Sequence, residues 1–160
     1  MTDGFLLSGE ALRFICDIHL GKLARWLRLL GFDTVYGNNL EDREIVRVAK
    51  AEHRIVLTRD GDLLAEKSVS TYRPASIFPD EQLRELLAAF NLRGRSRPFS
   101  RCMNCNGEIM PVEKTSVTAS VPVGIMLNME QFGRCQACAK IYWPGSHYRR
   151  MQAWMDEMLQ

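Results

Sequence analysis

The chain has 160 residues, 46% of them apolar and 25% charged, and a formal net charge of +2. Those values suit one ordinary globular domain or two small ones, and they exclude a disordered chain and a polyanion binder that works by bulk charge alone. No run approaches the ~18 apolar residues of a membrane span, and the opening MTDGFLLSGEALR lacks the basic segment and apolar core of a signal peptide, so a cytosolic protein without membrane contact is expected.

In chain order, residues 13–16, RFIC, form a short apolar strand with Cys16 as a small core residue, and Asp17 follows at once. LGKLARWLRLLG sets Leu20, Leu23, Leu27 and Leu30 at helical spacing, with Gly31 as the stop. FDTVY is a second strand ended by GNN. DREIVRVAKAEH places Ile45, Val46, Val48 and Ala49 on one helical face, and RIVLT is the third strand. A weak fourth strand lies within TYRPASIF. PDEQLRELLAAF is a helix, with Pro79 in its first turn, Asp80 and Glu81 at its positive end, and a stripe of Leu83, Leu86, Leu87 and Phe90. Alternating strands and helices with short connections predict parallel βαβ units, hence an α/β domain over residues 12–92.

After Phe90 the composition changes. Residues 93–101 read as a basic linker, with Arg93, Arg95, Arg97 and Arg101 and no acid. Residues 13–28 hold Arg13, Lys22, Arg25 and Arg28 against a single Asp17. Such stretches either neutralise phosphates or form solvated surface, and both readings stay open here. Residues 102–143 are rich in Gly, Pro and Cys, with short β-like pieces near GEIMPVEK and GRCQACAKIYW. SHYRRMQAWMDEMLQ closes the chain as an amphipathic helix, giving a second small domain over 102–160.

CMNC and CQAC supply Cys102, Cys105, Cys135 and Cys138. Each C-x-x-C turn brings two thiolates to one side of a metal, and two turns complete a tetrahedral zinc site. A β-hairpin with a long loop accommodates the span between them. Disulfides do not suit a cytosolic chain, and a thioredoxin-like redox motif needs one pair, not two. Four sulfur ligands close the site, so this zinc is structural. Ribbons of this kind bind nucleic acid or protein.

Parallel sheets bind ligands beyond the carboxyl ends of their strands. Asp17 follows the first strand, Asp42 opens the helix after the second, and Asp60 and Asp62 follow the third, so one rim collects them. Gathered carboxylates repel one another unless a cation neutralises them, and hard oxygen donors suit Mg²⁺ or Mn²⁺. Each acid also has a plain capping explanation. Asp17 and Asp60 can cap the helices that follow them, and Asp42 can be the acid of a cap begun by Asn39. Asp62 is as good a first-turn helix acid as a ligand. His19 reads as a loop residue near the rim, and Asp33 lies at the opposite edge of the sheet.

The runs FICDIHLGKLARWLRLLGFDTVY, LEDREIVRVA and RIVLTRDGDL resemble a PIN-like ribonuclease domain. CMNCNGEIMPV and CQACAKIYWPGSHYRRM resemble the zinc ribbon attached to it in the Mut-seven C-terminal RNase domain family. The resemblance covers nearly all of residues 12–152 and leaves 1–11 as an N-terminal extension. It implies a metal-dependent ribonuclease in which Asp17, Asp42 and Asp60, joined by Asp62, serve catalysis through Mg²⁺ or Mn²⁺. It further implies RNA as the partner, contacted by Lys22, Arg25, Arg28 and His147, the last of which has ribbon packing as its alternative role. The competing readings are a non-catalytic RNA- or ribosome-binding adaptor and the toxin of a toxin–antitoxin pair.

Overall fold

The computed structural model describes residues 11–160, so the expected N-terminal extension lies outside the described residues except for Ala11. The first unit runs β1 (Arg13–Cys16), a 3₁₀ turn at Ile18–Leu20, α1 (Gly21–Leu29), β2 (Asp33–Val35), α2 (Asp42–Glu52) and β3 (Ile55–Leu57). It continues through α3 (Gly61–Ala65), β4 (Thr71–Tyr72) and α4 (Pro79–Ala89). The four strands form one parallel sheet in the order β2-β1-β3-β4.

Alternation along the central strands divides the core between the two faces of the sheet. Phe14, Cys16, Ile55 and Leu57 meet Leu23 and Leu27 of α1 and Leu83, Leu86 and Leu87 of α4. Ile15 and Val56 face the other way, onto Ile45 and Ala49 of α2 and Leu63 of α3. Burial pushes the Cys16 thiol far up, with Asp17 adding to it, and the residue is inert core as its sequence context indicates.

The strand order fixes where a ligand can enter. β1 connects outward to β2, whereas β3, its other neighbour, connects outward to β4. The two connections leave in opposite directions and open a crevice at the carboxyl ends of β1 and β3, the switch point where open α/β sheets bind ligands.

Residues 93–101 are docked and not slack. A 3₁₀ turn spans Arg93–Arg95, and then the Arg97 and Phe99 amides donate to the carbonyls of Leu30 and Leu29 at 2.8 and 2.9 Å, satisfying the end of α1. This crossing is close. Gly31 sits at φ +91°, and a Cβ there would lie 2.3 Å from the Arg97 carbonyl oxygen.

The second unit is an antiparallel sheet of β5 (Ile109–Val112), β6 (Phe132–Cys135) and β7 (Ile141–Tyr142). The long loop between β5 and β6 contains a 3₁₀ turn at Lys114–Val117 and a short helix, α5 (Val123–Asn128), that the sequence pattern does not announce. α6 (Ser146–Leu159) follows the ribbon in sequence but returns to the first unit, where Met155 and Met158 complete the core around α1 and α4. Trp154 of α6 packs on Trp26 of α1 with ring centroids 4.8 Å apart. An amphipathic stripe declares that a helix is covered, not by what, which is why sequence grouped α6 with the ribbon.

Candidate active site and zinc centre

Asp17 is the anchor of the rim. It is buried, and its backbone N–H extends the β1–β3 ladder by donating to Leu57 O at 3.1 Å. Oδ1 accepts from the His19 amide at 2.8 Å, capping the 3₁₀ turn, while Oδ2 accepts from the Thr58 hydroxyl and from the Arg59 amide at 3.2 Å. The Thr58 Oγ1 in turn accepts from the Asp60 amide at 2.9 Å. One buried hydroxyl thus ties the acid after β1 to the backbone of the acid after β3. Thr58 is a residue the sequence reading passed over, although its place in LTRD, two before Asp60, is the signal that could have found it.

Asp60 caps α3 through Oδ1, which accepts from the Asp62 and Leu63 amides at 2.8 and 3.3 Å. Capping and ligation are compatible, because among the described residues the second oxygen has no partner and the side chain is exposed. Asp42 is the first residue of α2, with Glu41 as the N-cap, so the Asn39 cap does not form. Among the described residues its exposed carboxylate has neither a hydrogen bond nor an ion pair. Lost hydration pushes its pKa up first, followed by the charges of Asp60, Asp62 and Asp17. Asp62 is an exposed first-turn acid of α3.

Four carboxylates at one edge of the sheet are a donor set suited to Mg²⁺ or Mn²⁺. They are not drawn to a common point. Among the described residues, the four cysteines are the group of metal-capable side chains brought to ligand spacing. Mg²⁺ keeps several waters and takes one or two carboxylates, so a loose rim with one fixed acid and exposed partners fits it.

The basic residues divide. Lys22 and Arg25 are exposed on α1, with Lys22 Nζ 4.8 Å from the Trp26 ring centroid. His147 is exposed in the first turn of α6. Arg28 departs from expectation. It is buried, with Nε donating to Thr34 O at 2.8 Å and Nη1 to the Met103 and Asn104 carbonyls at 3.1 and 2.9 Å. Those acceptors take up its guanidinium, so Arg28 clamps the zinc turn to α1 and does not reach out to phosphate. Arg59 is similarly engaged, holding the Pro74, Ala75 and Ser76 carbonyls at 2.7, 2.9 and 2.8 Å.

In the cysteine cluster all four Sγ atoms lie within 4.8 Å of one another, with Cys102–Cys138 at 3.7 Å and Cys105–Cys135 at 3.4 Å. A tetrahedral zinc with Zn–S of ~2.3 Å needs S···S of ~3.8 Å, so the set fits. The two turns are built alike. Asn106 N donates to Cys102 O at 2.9 Å with Asn106 at φ 70°, and Ala139 N donates to Cys135 O at 3.0 Å with Ala139 at φ 61°. Burial raises the Cys102 thiol, but the Tyr142 hydroxyl and the Cys105 and Asn104 amides outweigh it and bring the thiol down. Cys105 is pushed up, by lost hydration first and then by the neighbouring thiols. Without a cation the four sulfurs cannot all ionise.

The first turn docks at the amino-terminal edge of the sheet. Asn106 accepts from Thr34 N at 2.9 Å and donates to Asp33 Oδ1 at 2.7 Å, where Arg54 Nη1 also arrives at 2.7 Å. Burial would push Asp33 up, but Arg54 and Asn106 outweigh it and hold its carboxyl below the usual range. Asp33 is therefore a joint between the two units.

A family model described as the Mut7-C RNAse domain matches residues 12–155. The chain belongs to that family. It is 34% identical over 109 residues to a human protein named exonuclease mut-7 homolog, an alignment that covers 62% of this chain and 12% of that relative. No solved structure matches it significantly. The family is described as an RNase domain, and this member is an α/β unit with a parallel four-stranded sheet followed by a cysteine cluster able to hold a metal such as zinc. Among the described residues no helix is long and apolar enough to cross a membrane.

Proposed function

We propose that this protein is a cytoplasmic ribonuclease that hydrolyses RNA phosphodiesters with Mg²⁺ or Mn²⁺ held by Asp17, Asp42 and Asp60. The observation that carries the reading is the rim itself: a buried aspartate locked through Thr58 to the backbone of a second acid, with a third whose carboxyl is pushed up by lost hydration first and then by the charges of the others. Such a cation, when bound, supplies activation of water and neutralisation of charge at the scissile phosphate. Asp17 is oriented by three donors, so its oxygens are preorganised. Asp42 and Asp60 are the adjustable arms, and Asp62 adds negative charge beside them. Lys22 and Arg25 neutralise the phosphate backbone without reading bases. The zinc ribbon fixes the far end of α1 through Arg28 and carries a share of the RNA contact.

The zinc-loaded protein incubated with end-labelled RNA is expected to cleave only when Mg²⁺ or Mn²⁺ is added. Tight RNA binding with no cleavage under any divalent cation would establish the adaptor reading instead. The nested or internal pattern of the labelled products separates exonucleolytic from endonucleolytic cutting.

A further inference from the structure

Two cavities, of about 1130 and 960 Å³, meet where α1, the first zinc turn and α6 come together. They share Arg25, Leu29, Met103, Asn104, His147 and Met151, so they form one continuous trough. Its first half follows α1. Nine residues at ~1.5 Å each give a run of ~13 Å. It starts beside the acidic rim, where the Tyr36 hydroxyl lies 3.2 Å from the Ile18 carbonyl, one residue after Asp17. It ends at the zinc turn on the opposite edge of the sheet. The second half continues over the ribbon past Lys140 and Trp143.

Charge and rings together define the ligand. The first half carries the exposed cations Lys22, Arg25 and Arg150 with His147, and among the described residues no carboxylate lines it. Glu113 and Glu130 enter only in the second half, where Glu130 is paired with Lys114 at 2.6 Å. Partly exposed aromatic rings stand in both halves, Tyr36 in the first and Trp143 in the second. A duplex hides its base faces and has no use for such rings, whereas an unpaired strand stacks on them.

We infer that this trough is a track for single-stranded nucleic acid, with Arg25 and His147 at its waist, Arg150 in its first half and Trp143 stacking a base on the ribbon. The inference rests on the nuclease reading above and adds the route and the strandedness. Arg150, Tyr36 and Trp143 are binding residues here and not catalytic ones. The trough delivers a strand to the rim end of α1, so a bound chain long enough to span both halves places one end beside Asp17.

The test is binding of fluorescent RNA oligonucleotides to the zinc-loaded full chain without divalent cation, so that nothing is cut. Affinity for single strands is expected to rise with length and level off once both halves are filled. Arg150→Glu and Arg25→Glu should each weaken binding about tenfold or more and reduce the salt slope by about 1. Trp143→Ala should weaken it about tenfold with the salt slope unchanged, because stacking releases no counterions. Equal or tighter binding of a duplex of the same length, or unchanged affinity in Arg150→Glu and Trp143→Ala, overturns the track. Folded variants are confirmed by zinc content and circular dichroism. Binding through the trough without cleavage would sink the nuclease reading and leave the track standing, whereas cleavage indifferent to Arg150 and Trp143 would do the reverse.

Discussion

Replacing Thr58 with valine removes one hydroxyl and leaves shape and burial almost unchanged. That hydroxyl is fully buried, donates to a buried Asp17 carboxylate and accepts from the Asp60 amide. A hydrogen bond to a charged group contributes about 1.5–3 kcal/mol, and a buried acceptor left without its donor costs toward the upper end. Asp17 keeps the His19 and Arg59 amides, which limits the loss, so about 2 kcal/mol is expected. For a chain of this size, ~2–4 °C of melting temperature accompanies each kcal/mol, a fall of roughly 4–8 °C. Thr58→Ser keeps the hydroxyl and serves as the control. Thermal unfolding followed by circular dichroism gives the stability, and RNA cleavage at a temperature where both variants are folded gives the rate. Valine should lose activity at least tenfold more than serine does. A valine variant within 0.5 kcal/mol of wild type and fully active would refute the argument that Thr58 links the two acids.

The remaining predictions follow from the rim, the zinc turn and the entry to α1. Asp42 has a folded pKa raised above its ordinary 3.8. Its ionised form therefore penalises the folded state above the folded pKa, and the penalty fades as pH falls through the interval down to 3.8. Lost hydration and the neighbouring acids both disfavour the ionised carboxylate, so metal-free Asp42→Asn should melt higher than wild type at neutral pH. The difference should vanish near the bottom of that interval, and added Mg²⁺ should raise the melting temperature of wild type more than that of the variant. Chelating zinc, or Cys105→Ser, should destabilise the α/β unit as well as the ribbon, because Arg28 loses the Met103 and Asn104 carbonyls and Thr34 loses Asn106. Hydrogen exchange should show β2 and the end of α1 losing protection, and unchanged protection there would contradict the coupling. At Gly21 a Cβ would lie 2.6–2.7 Å from the Tyr36 hydroxyl and ring, so Gly21→Ala should cost about 1–3 kcal/mol. Pairing it with Tyr36→Phe removes the hydroxyl contact and should recover part of the loss.

Local patterns made most of the framework legible. The leucine spacing of α1 and α4, the apolar RFIC and RIVL runs, and the C-x-x-C pairs all act over a few residues, and the elements formed where those patterns stand. The parallel βαβ alternation also implied that Asp17, Asp42 and Asp60 share an edge. What sequence could not show are long-range partners. Arg28 reads as one more cation on a helix, and only the fold reveals carbonyls 75 and 76 residues away that bury it. Asp33 lies at the edge away from the acids, as its position indicates, but its bonds to Arg54 and Asn106 come from distant segments. The destination of α6 and the docking of residues 97–99 on the end of α1 belong to the same class. His147 joins the trough because α6 turns back onto α1, and Arg150 enters it by the same geometry.

The most direct test of the account is cleavage of labelled RNA by zinc-loaded wild type, Asp17→Asn and Asp60→Asn at saturating Mn²⁺. Zinc content and RNA affinity are measured on the same preparations. The account predicts that both variants keep one zinc and bind RNA as wild type does, yet lose cleavage by at least a hundredfold. Cleavage that survives both substitutions would contradict the assignment of the acidic rim as the catalytic site.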